Sequence, residues 1–251
     1  MTAPVLALEL QGLRKSFGPV DIIRGASLAV AAGERVALIG PNGAGKSTLF
    51  NLISGKHAPD SGRVVLQGQA IQGKTPFQIY RAGLSRSFQV SNVFERLSVF
   101  ENLRCSVLWS LGYGYSFWRR LSGLKDANAL AEHCMAQVQL SAKRNVLAGE
   151  LGYAEQRALE LGITIAGGAH IVLLDEPTAG MGGTESAHFV QLIRDVTQGK
   201  TLLIVEHDMQ VVYALADKIA VMVAGQIIAC DTPAAIRANP QVQAVYLGAA
   251  A

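Results

Sequence analysis

The sequence predicts an α/β fold with a mostly parallel sheet, and three observations carry that expectation. Short β-branched runs recur along the chain, at 36–39, 64–66, 171–174, 201–205, 219–223 and 226–229. Two of them, 171–174 and 202–205, are apolar at every position, as expected of strands covered on both faces. Helical stretches follow several runs, at 46–54, 184–196 and 209–216. Strand, turn, helix, strand is the grammar of a doubly wound sheet.

The composition is compatible with that fold and excludes several others. A chain of 251 residues can form one large domain and bury a real core. Half of its residues are hydrophobic and only 16% are charged, which excludes a disordered or fibrous protein. Lys and Arg total 22 against 19 Asp and Glu, a net charge of +3. Without a basic run, that charge gives no footprint for nucleic acid. Cys105, Cys134 and Cys230 are odd in number and widely spaced, so neither a disulfide framework nor a zinc site is expected, and a reducing cytosol fits. The start Met1-Thr2-Ala3-Pro4 lacks the basic and apolar regions of a signal peptide. The longest apolar stretch, 163–174, is broken by Gly167, Gly168 and His170 and is too short to span a membrane. A mean hydropathy of +0.27 is high, and it divides between an α/β core and a partner-binding surface.

Between 90 and 158 the texture changes. No strand of the buried type occurs, and 127–140 places Ala127, Leu130, Ala131, Cys134, Met135 and Val138 near a 3.6-residue period. Ahead of it, Trp109, Tyr113, Tyr115, Phe117 and Trp118 alternate with glycines. The expected organisation is a single domain, 1–251, with a core made of 1–89 and 159–251 and a helical subdomain, 90–158, inserted into it.

The chemistry begins after the first run. Gly40-Pro41-Asn42-Gly43-Ala44-Gly45-Lys46-Ser47 follows a strand and opens a helix, the context that a phosphate-binding loop requires. Glycines let consecutive amides turn inward onto a phosphate, and the helix adds its free N–H groups and dipole. Lys46 is then placed for the β- and γ-phosphates, and the Ser47 hydroxyl for Mg²⁺.

A second cluster supplies acid and base groups. The run 171–174 ends in Asp175-Glu176, and carboxyl ends of parallel strands are where open sheets bind ligands. Asp175 can hold Mg²⁺ through its water shell, and Glu176 can polarise an attacking water. The neighbouring run, 201–205, ends in Glu206-His207-Asp208, so His207 points toward the same crevice and can stabilise charge on the γ-phosphate.

These motifs, in this order, resemble the ATP-binding-cassette ATPases. Within that family the chain resembles the ATPase subunit of branched-chain amino acid importers. The resemblance covers nearly the full length and includes the loop from Gly40 to Thr48, Arg86-Ser87-Phe88-Gln89, Glu176-Pro177-Thr178-Ala179-Gly180-Met181 and Val205-Glu206-His207-Asp208-Met209. It continues through Thr232-Pro233, Ile236-Arg237, Asn239-Pro240 and Tyr246-Leu247-Gly248. It implies a nucleotide-binding core with a small antiparallel β part, and ATP and Mg²⁺ as ligands. Phe17 then matches the aromatic that stacks on adenine, and Gln89 the glutamine that touches Mg²⁺ and the attacking water. Leu151-Gly152-Tyr153-Ala154-Glu155 matches the signature that caps ATP bound by an opposite subunit. Further implied are a second cassette, identical or related, membrane-spanning permease subunits and a separate solute-binding protein. The family works peripherally, on the cytoplasmic face of the membrane.

Two departures from the family pattern stand out. The signature is L-S-G-G-Q in the family, and here Gly152 lacks the serine hydroxyl while Ala154 stiffens the backbone. Losing one hydrogen bond to a charged group costs about 1.5–3 kcal/mol, so weakened rather than abolished ATP sandwiching is expected. The pattern S-A-L-D reads Ala179-Gly180-Met181-Gly182, without the aspartate that bridges subunits. Both departures leave open an ATP-dependent dimerising switch with weak hydrolysis. The cargo is not written in this chain. Branched-chain amino acids are the family default, with amides, urea or aromatic acids as alternatives.

Overall fold

The computed structural model describes residues 5–87, 93–113 and 123–248. Its centre is a six-stranded sheet made of β3 (Arg35–Ile39), β6 (Leu84–Arg86), β7 (Ile171–Asp175), β8 (Thr201–Val205), β9 (Lys218–Val223) and β10 (Gln226–Asp231). The order across it is β10-β9-β3-β8-β7-β6, and only β10 pairs antiparallel. A second, antiparallel sheet has the order β2-β1-β4-β5, from β1 (Leu6–Phe17), β2 (Val20–Ala31), β4 (Ser61–Leu66) and β5 (Gln69–Ala70). The mostly parallel sheet with a small antiparallel part is therefore present.

The unbroken apolar strands are explained by two cores, one on each face of the large sheet. Ala37, Val172, Leu174, Leu202 and Ile204 enter one core, and Val36, Leu38, Ile171, Leu173, Leu203 and Val205 enter the other. Successive residues point to opposite faces and both faces are covered, so the strand interiors are apolar and buried polar residues, Asp175 and Thr201, fall at strand ends. The second core is closed by α1 (Lys46–Ile53) and the antiparallel sheet.

The first core is closed by helices. These are α3 (Val99–Ser110), α4 (Lys125–Gln137), α5 (Tyr153–Ala166), α6 (Gly183–Val196) and α7 (Met209–Leu215). Three short helices, α2 (Pro76–Arg81), α8 (Pro233–Ala238) and α9 (Pro240–Gly248), each begin at a proline, whose fixed φ suits a first helical turn. Residue 158 falls inside α5, so one continuous helix runs across the expected boundary.

The long strands β1 and β2 escaped the sequence reading because their pairing is irregular. Register shifts interrupt it between Leu10 and Leu13 and again beyond, and Gly12 stands at φ 58°. Each shift flips the side-chain alternation that betrays a half-buried strand. The expected helix at 127–140 starts two residues earlier and ends at Gln137, because Gln139 turns left-handed at φ 60°. Of the aromatics ahead of it, Tyr113 bonds Asp126 at 2.6–2.7 Å within the same helical layer. Tyr115, Phe117 and Trp118 lie outside the described residues.

Gly162 lets α5 pack flush against its neighbours. A Cβ there would sit 3.0 Å from Leu103 Cδ2 and 3.2 Å from Val138 Cγ2. Gly162→Val is expected to destabilise the chain by about 1–3 kcal/mol through overpacking, read as a lower urea midpoint at an unchanged slope.

Candidate functional site

β3, β8 and β7 run parallel and side by side, so their carboxyl ends open on one edge of the sheet. β3 delivers the loop Gly40 to Thr48, β7 delivers Asp175 and Glu176, and β8 delivers Glu206 and His207. Sequence spacing alone had placed these groups in one crevice, and the sheet brings their strand ends together.

The loop needs its glycines for stated reasons. Gly43 and Gly45 have φ of 78° and 103°, which disfavour any side chain. A Cβ at Gly40 would run into the Met222 carbonyl, and one at Gly45 would come within 2.9 Å of Ile23 Cδ1. The Gly225 N–H donates to the Ala44 carbonyl at 3.0 Å and fixes the loop from outside. Lys46 folds back across the mouth, its ammonium donating to the carbonyls of Gly40 at 2.8 Å and Pro41 at 3.1 Å. Burial lowers its pKa, against the opposing pull of Glu176 and Asp175. Lys46, Ser47 and Thr48 open α1, where no preceding turn accepts their amides. Those amides, with Gly43 and Gly45 curling the chain behind Pro41 and Asn42, form a cradle for an anion.

Asp175 is buried, and its two oxygens differ. Oδ2 accepts from Arg86 Nη2 at 3.0 Å, whereas Oδ1 is buried without a partner. Burial pushes its carboxyl pKa up and the Arg86 guanidinium pulls it down, with the upward effect prevailing. Asp175 also feels the charge of Lys46, and an orphaned carboxylate oxygen suits a hydrated Mg²⁺, since that ion takes hard oxygen donors and keeps several waters. Ser47 Oγ, at the start of α1, offers a second oxygen. Among the described residues no cluster of three or more His, Cys, Asp or Glu could hold a metal by itself.

Arg86 is a site residue whose part the sequence reading did not identify. Its Nη1 donates to Asn51 Oδ1 at 2.7 Å and Ser54 Oγ at 3.1 Å, and its guanidinium lies 5.6 Å from the Phe50 ring centre. One buried cation thereby ties the far end of α1 to the acid at the end of β7. The available signal was weak, because β6 has only three residues and no periodicity to read. In the sequence Glu206 stands out only as part of a motif. It is buried, accepts from Thr178 Oγ1 at 2.7 Å with one oxygen and from the His207 N–H at 3.2 Å with the other. That carboxylate fastens the loops after β7 and β8 together.

Glu176 is partly exposed and sits at φ 48°, left-handed for a residue with a Cβ. Such a conformation costs on the order of 1–3 kcal/mol and holds only where the surroundings impose it. Here its N–H donates to the Val205 carbonyl at 2.9 Å, and its own carbonyl accepts from the Ala179 N–H at 3.1 Å. The His207 side chain is 69% exposed, with Nδ1 3.9 Å from Glu206. It faces solvent beside a cavity lined by Thr178, Ala179, Gly180 and residues of α6 and α7. Phe17 ends β1, 45% exposed, its ring centre 5.3 Å from that of His57 in a T-shaped pair and 5.5 Å from the Lys15 ammonium. The turn end of that hairpin abuts the phosphate loop through Ile22 and Ile23. Gln89 lies outside the described residues.

The signature residues open α5. Leu151 is buried, so only its backbone is available to a ligand. Gly152 is the N-cap and Ala154 lies in the first turn, both with helix amides nearby. Glu155 is engaged within its own chain, accepting from the Gly152 N–H at 3.1 Å and pairing with Lys143 at 3.2 Å. The Tyr153 hydroxyl is likewise engaged, donating to the Ala179 carbonyl.

A nucleotide-type loop, an acid pair and a helical layer on a two-sheet frame define an ATP-binding cassette, and comparison with known proteins agrees. The ABC transporter family model matches residues 23–179, and a model of branched-chain amino acid ATP-binding cassette transporters matches 226–251. The chain belongs to the ABC transporter family, as an ATP-binding, ATP-hydrolysing member. It is 35% identical to the high-affinity branched-chain amino acid transport ATP-binding protein BraF of Pseudomonas aeruginosa, over all of both chains. The same identity and coverage hold for the corresponding protein LivG of Escherichia coli. Among solved structures, a nucleotide-free cassette from an ABC transporter superposes with a TM-score of 0.83 at 29% identity, covering 96% of this chain and 98% of the other. An ADP conformation of an ABC transporter cassette gives 0.83 at 26% identity, covering 97% and 99%. Among the described residues, no helix is long and apolar enough to cross a membrane.

Removing Arg86 leaves Asp175 buried and unpaired. Arg86→Met is expected to destabilise the chain by about 3–5 kcal/mol in urea unfolding. Asp175→Asn keeps an acceptor for Arg86 and should cost less than about 2 kcal/mol.

Proposed function

We propose that this chain is the ATPase subunit of an importer for branched-chain amino acids or related small polar solutes. The observation that carries the reading is the orphaned Asp175 Oδ1 beside the phosphate loop, in a chain similar over its full length to importer ATP-binding proteins. The cassette's core comprises 1–89 and 159–251, with 90–158 as the helical subdomain that meets the membrane-spanning permease subunits. Two cassettes, identical or related, trap two ATP molecules, each between one phosphate loop and the other chain's signature. A separate solute-binding protein selects the cargo. The subunit works peripherally, on the cytoplasmic face of the membrane.

Within each site the residues divide the work. The cradle from Gly40 to Thr48 binds the β-phosphate, and Lys46 leaves its resting carbonyls for the β/γ oxygens. Phe17 offers an aromatic face to the adenine. Ser47, Asp175 and Gln89 hold Mg²⁺, which supplies charge neutralisation across the phosphates. Glu176 takes the proton of the attacking water as general base, and His207 donates a hydrogen bond to the developing γ-phosphate charge. Leu151, Gly152, Tyr153, Ala154 and Glu155 present the α5 amides and dipole to the partner's γ-phosphate. The similarity to importer proteins does not favour the weakly hydrolysing switch.

The cargo is tested by uptake. Deleting the gene in its host should abolish high-affinity uptake of labelled leucine, isoleucine and valine. The parent gene should restore it and Lys46→Ala should not. Unchanged uptake in the deletion strain would overturn the cargo assignment.

A Cβ at Gly152 meets only Glu155 Oε2, at 3.8 Å, and the backbone there is extended as an N-cap requires. Gly152→Ser therefore fits, and it restores the hydroxyl at the position that faces the partner's phosphate. In a Glu176→Gln background it should tighten the ATP-bound dimer by about tenfold, seen by sedimentation.

A further inference from the structure

The loop after Glu176 is held from three sides. The Val205 carbonyl accepts from the Glu176 N–H at 2.9 Å, and the Glu206 carboxylate accepts from the Thr178 hydroxyl at 2.7 Å. Both holds come from the end of β8 and the residue after it. The third comes from the first residue of α5, where the Tyr153 hydroxyl donates to the Ala179 carbonyl.

That third hold is built, not incidental. The hydroxyl oxygen also accepts from Arg157 Nε at 3.2 Å and Nη2 at 3.1 Å, which fixes the direction of its proton. Arg157 is fixed in turn by Glu160, at 2.9 Å, in a pair with little exposure. Gly180 lies against the same ring, where a Cβ would stand 3.2 Å from the hydroxyl, and its φ is 80°. From Ala179 the path to the acid is a single bond, because the Ala179 N–H donates to the Glu176 carbonyl at 3.1 Å. Two hydrogen bonds in series thus join the first turn of α5 to the left-handed backbone of Glu176.

We propose that Tyr153 is a positioning residue for hydrolysis. It makes the geometry of Glu176 depend on the seating of the α5 N-terminus against the partner's γ-phosphate. The inference rests on the two-cassette reading above. The Tyr153 hydroxyl faces its own chain and does not substitute for the hydroxyl missing at Gly152. Its task is to carry the state of one nucleotide site to the base of the other, along a loop that has Gly182 where an inter-subunit aspartate is absent. A coupling of this kind needs a physical contact with two seats, and the Tyr153 bond to Ala179 is one that α5 can make or release.

The test is steady-state hydrolysis by the full chain against ATP concentration, for the parent and Tyr153→Phe. Sedimentation in ATP accompanies it for both in a Glu176→Gln background, with amide exchange across residues 176–181. Phenylalanine keeps the ring under Arg157 and removes only the hydroxyl. The proposal predicts a kcat about fivefold lower, KM changed less than about twofold, a Hill coefficient falling toward one, faster exchange in the loop and an intact ATP dimer. Arg157→Lys keeps a cation for Glu160 and loses the fork on the hydroxyl. It must move kcat and the Hill coefficient in the same direction by less, and it carries the test if Tyr153→Phe does not fold. A dimerising, cooperative parent whose variants match it in kcat, Hill coefficient and exchange overturns the positioning role alone. A parent that neither dimerises nor shows cooperativity overturns the two-cassette reading, and this proposal with it.

Discussion

Everything in this molecule hangs on the parallel, side-by-side seating of β3, β8 and β7. Parallel strands end on the same side, so their carboxyl termini present a phosphate loop, an acid pair and a histidine-bearing turn along one edge. That seating demands apolar residues on both faces of every strand, which explains why the chain needs two cores rather than one. The antiparallel sheet and α1 close one core, and the helical layer closes the other. The middle segment is thus not an appendage, since α5 runs from the signature straight into the packing beneath the acids.

On this frame the polar groups at the strand ends are few and nearly all committed. Arg86 bridges α1 and Asp175, Glu206 bridges the loops after β7 and β8, and Tyr153 bridges α5 and the loop after Glu176. Each is a polar contact between elements far apart in sequence. Left over among the described residues are one oxygen of Asp175 and the amides opening α1, while the His207 ring stands exposed beside Glu206. Buried charges that must be paired fix the scaffold, and the unpaired Asp175 oxygen is the group on which the proposed cation site rests.

Much of this was legible in the sequence. The phosphate loop and the acids after 171–174 could be read because each lies beside a strand whose apolar run is unbroken, and local pattern carries such strands. β1 and β2 were not legible, since their bulges scramble alternation, and β6 is too short to have a period. Arg86 and Glu206 acquire their roles only from neighbours brought by the fold. Asn51 and Asp175 surround Arg86 from sequence distances of 35 and 89, which no spacing rule reaches. Tyr153 could be aligned with a family position, but its bond to Ala179, 26 residues away, could not be foreseen. The helical pattern at 127–140 was right in kind and misplaced at its ends, where a left-handed Gln139 stops it.

The central claim is that the strand-end cluster hydrolyses ATP with Mg²⁺ and that Glu176 is the base. Phosphate release by the purified chain, followed across Mg²⁺ concentrations beside Glu176→Gln, addresses it most directly. Mg²⁺-dependent turnover is expected in the parent, and none in the variant while it still binds ATP. Turnover surviving in Glu176→Gln at the parent's rate would contradict the assignment of the base, and turnover indifferent to Mg²⁺ would contradict the reading of Asp175.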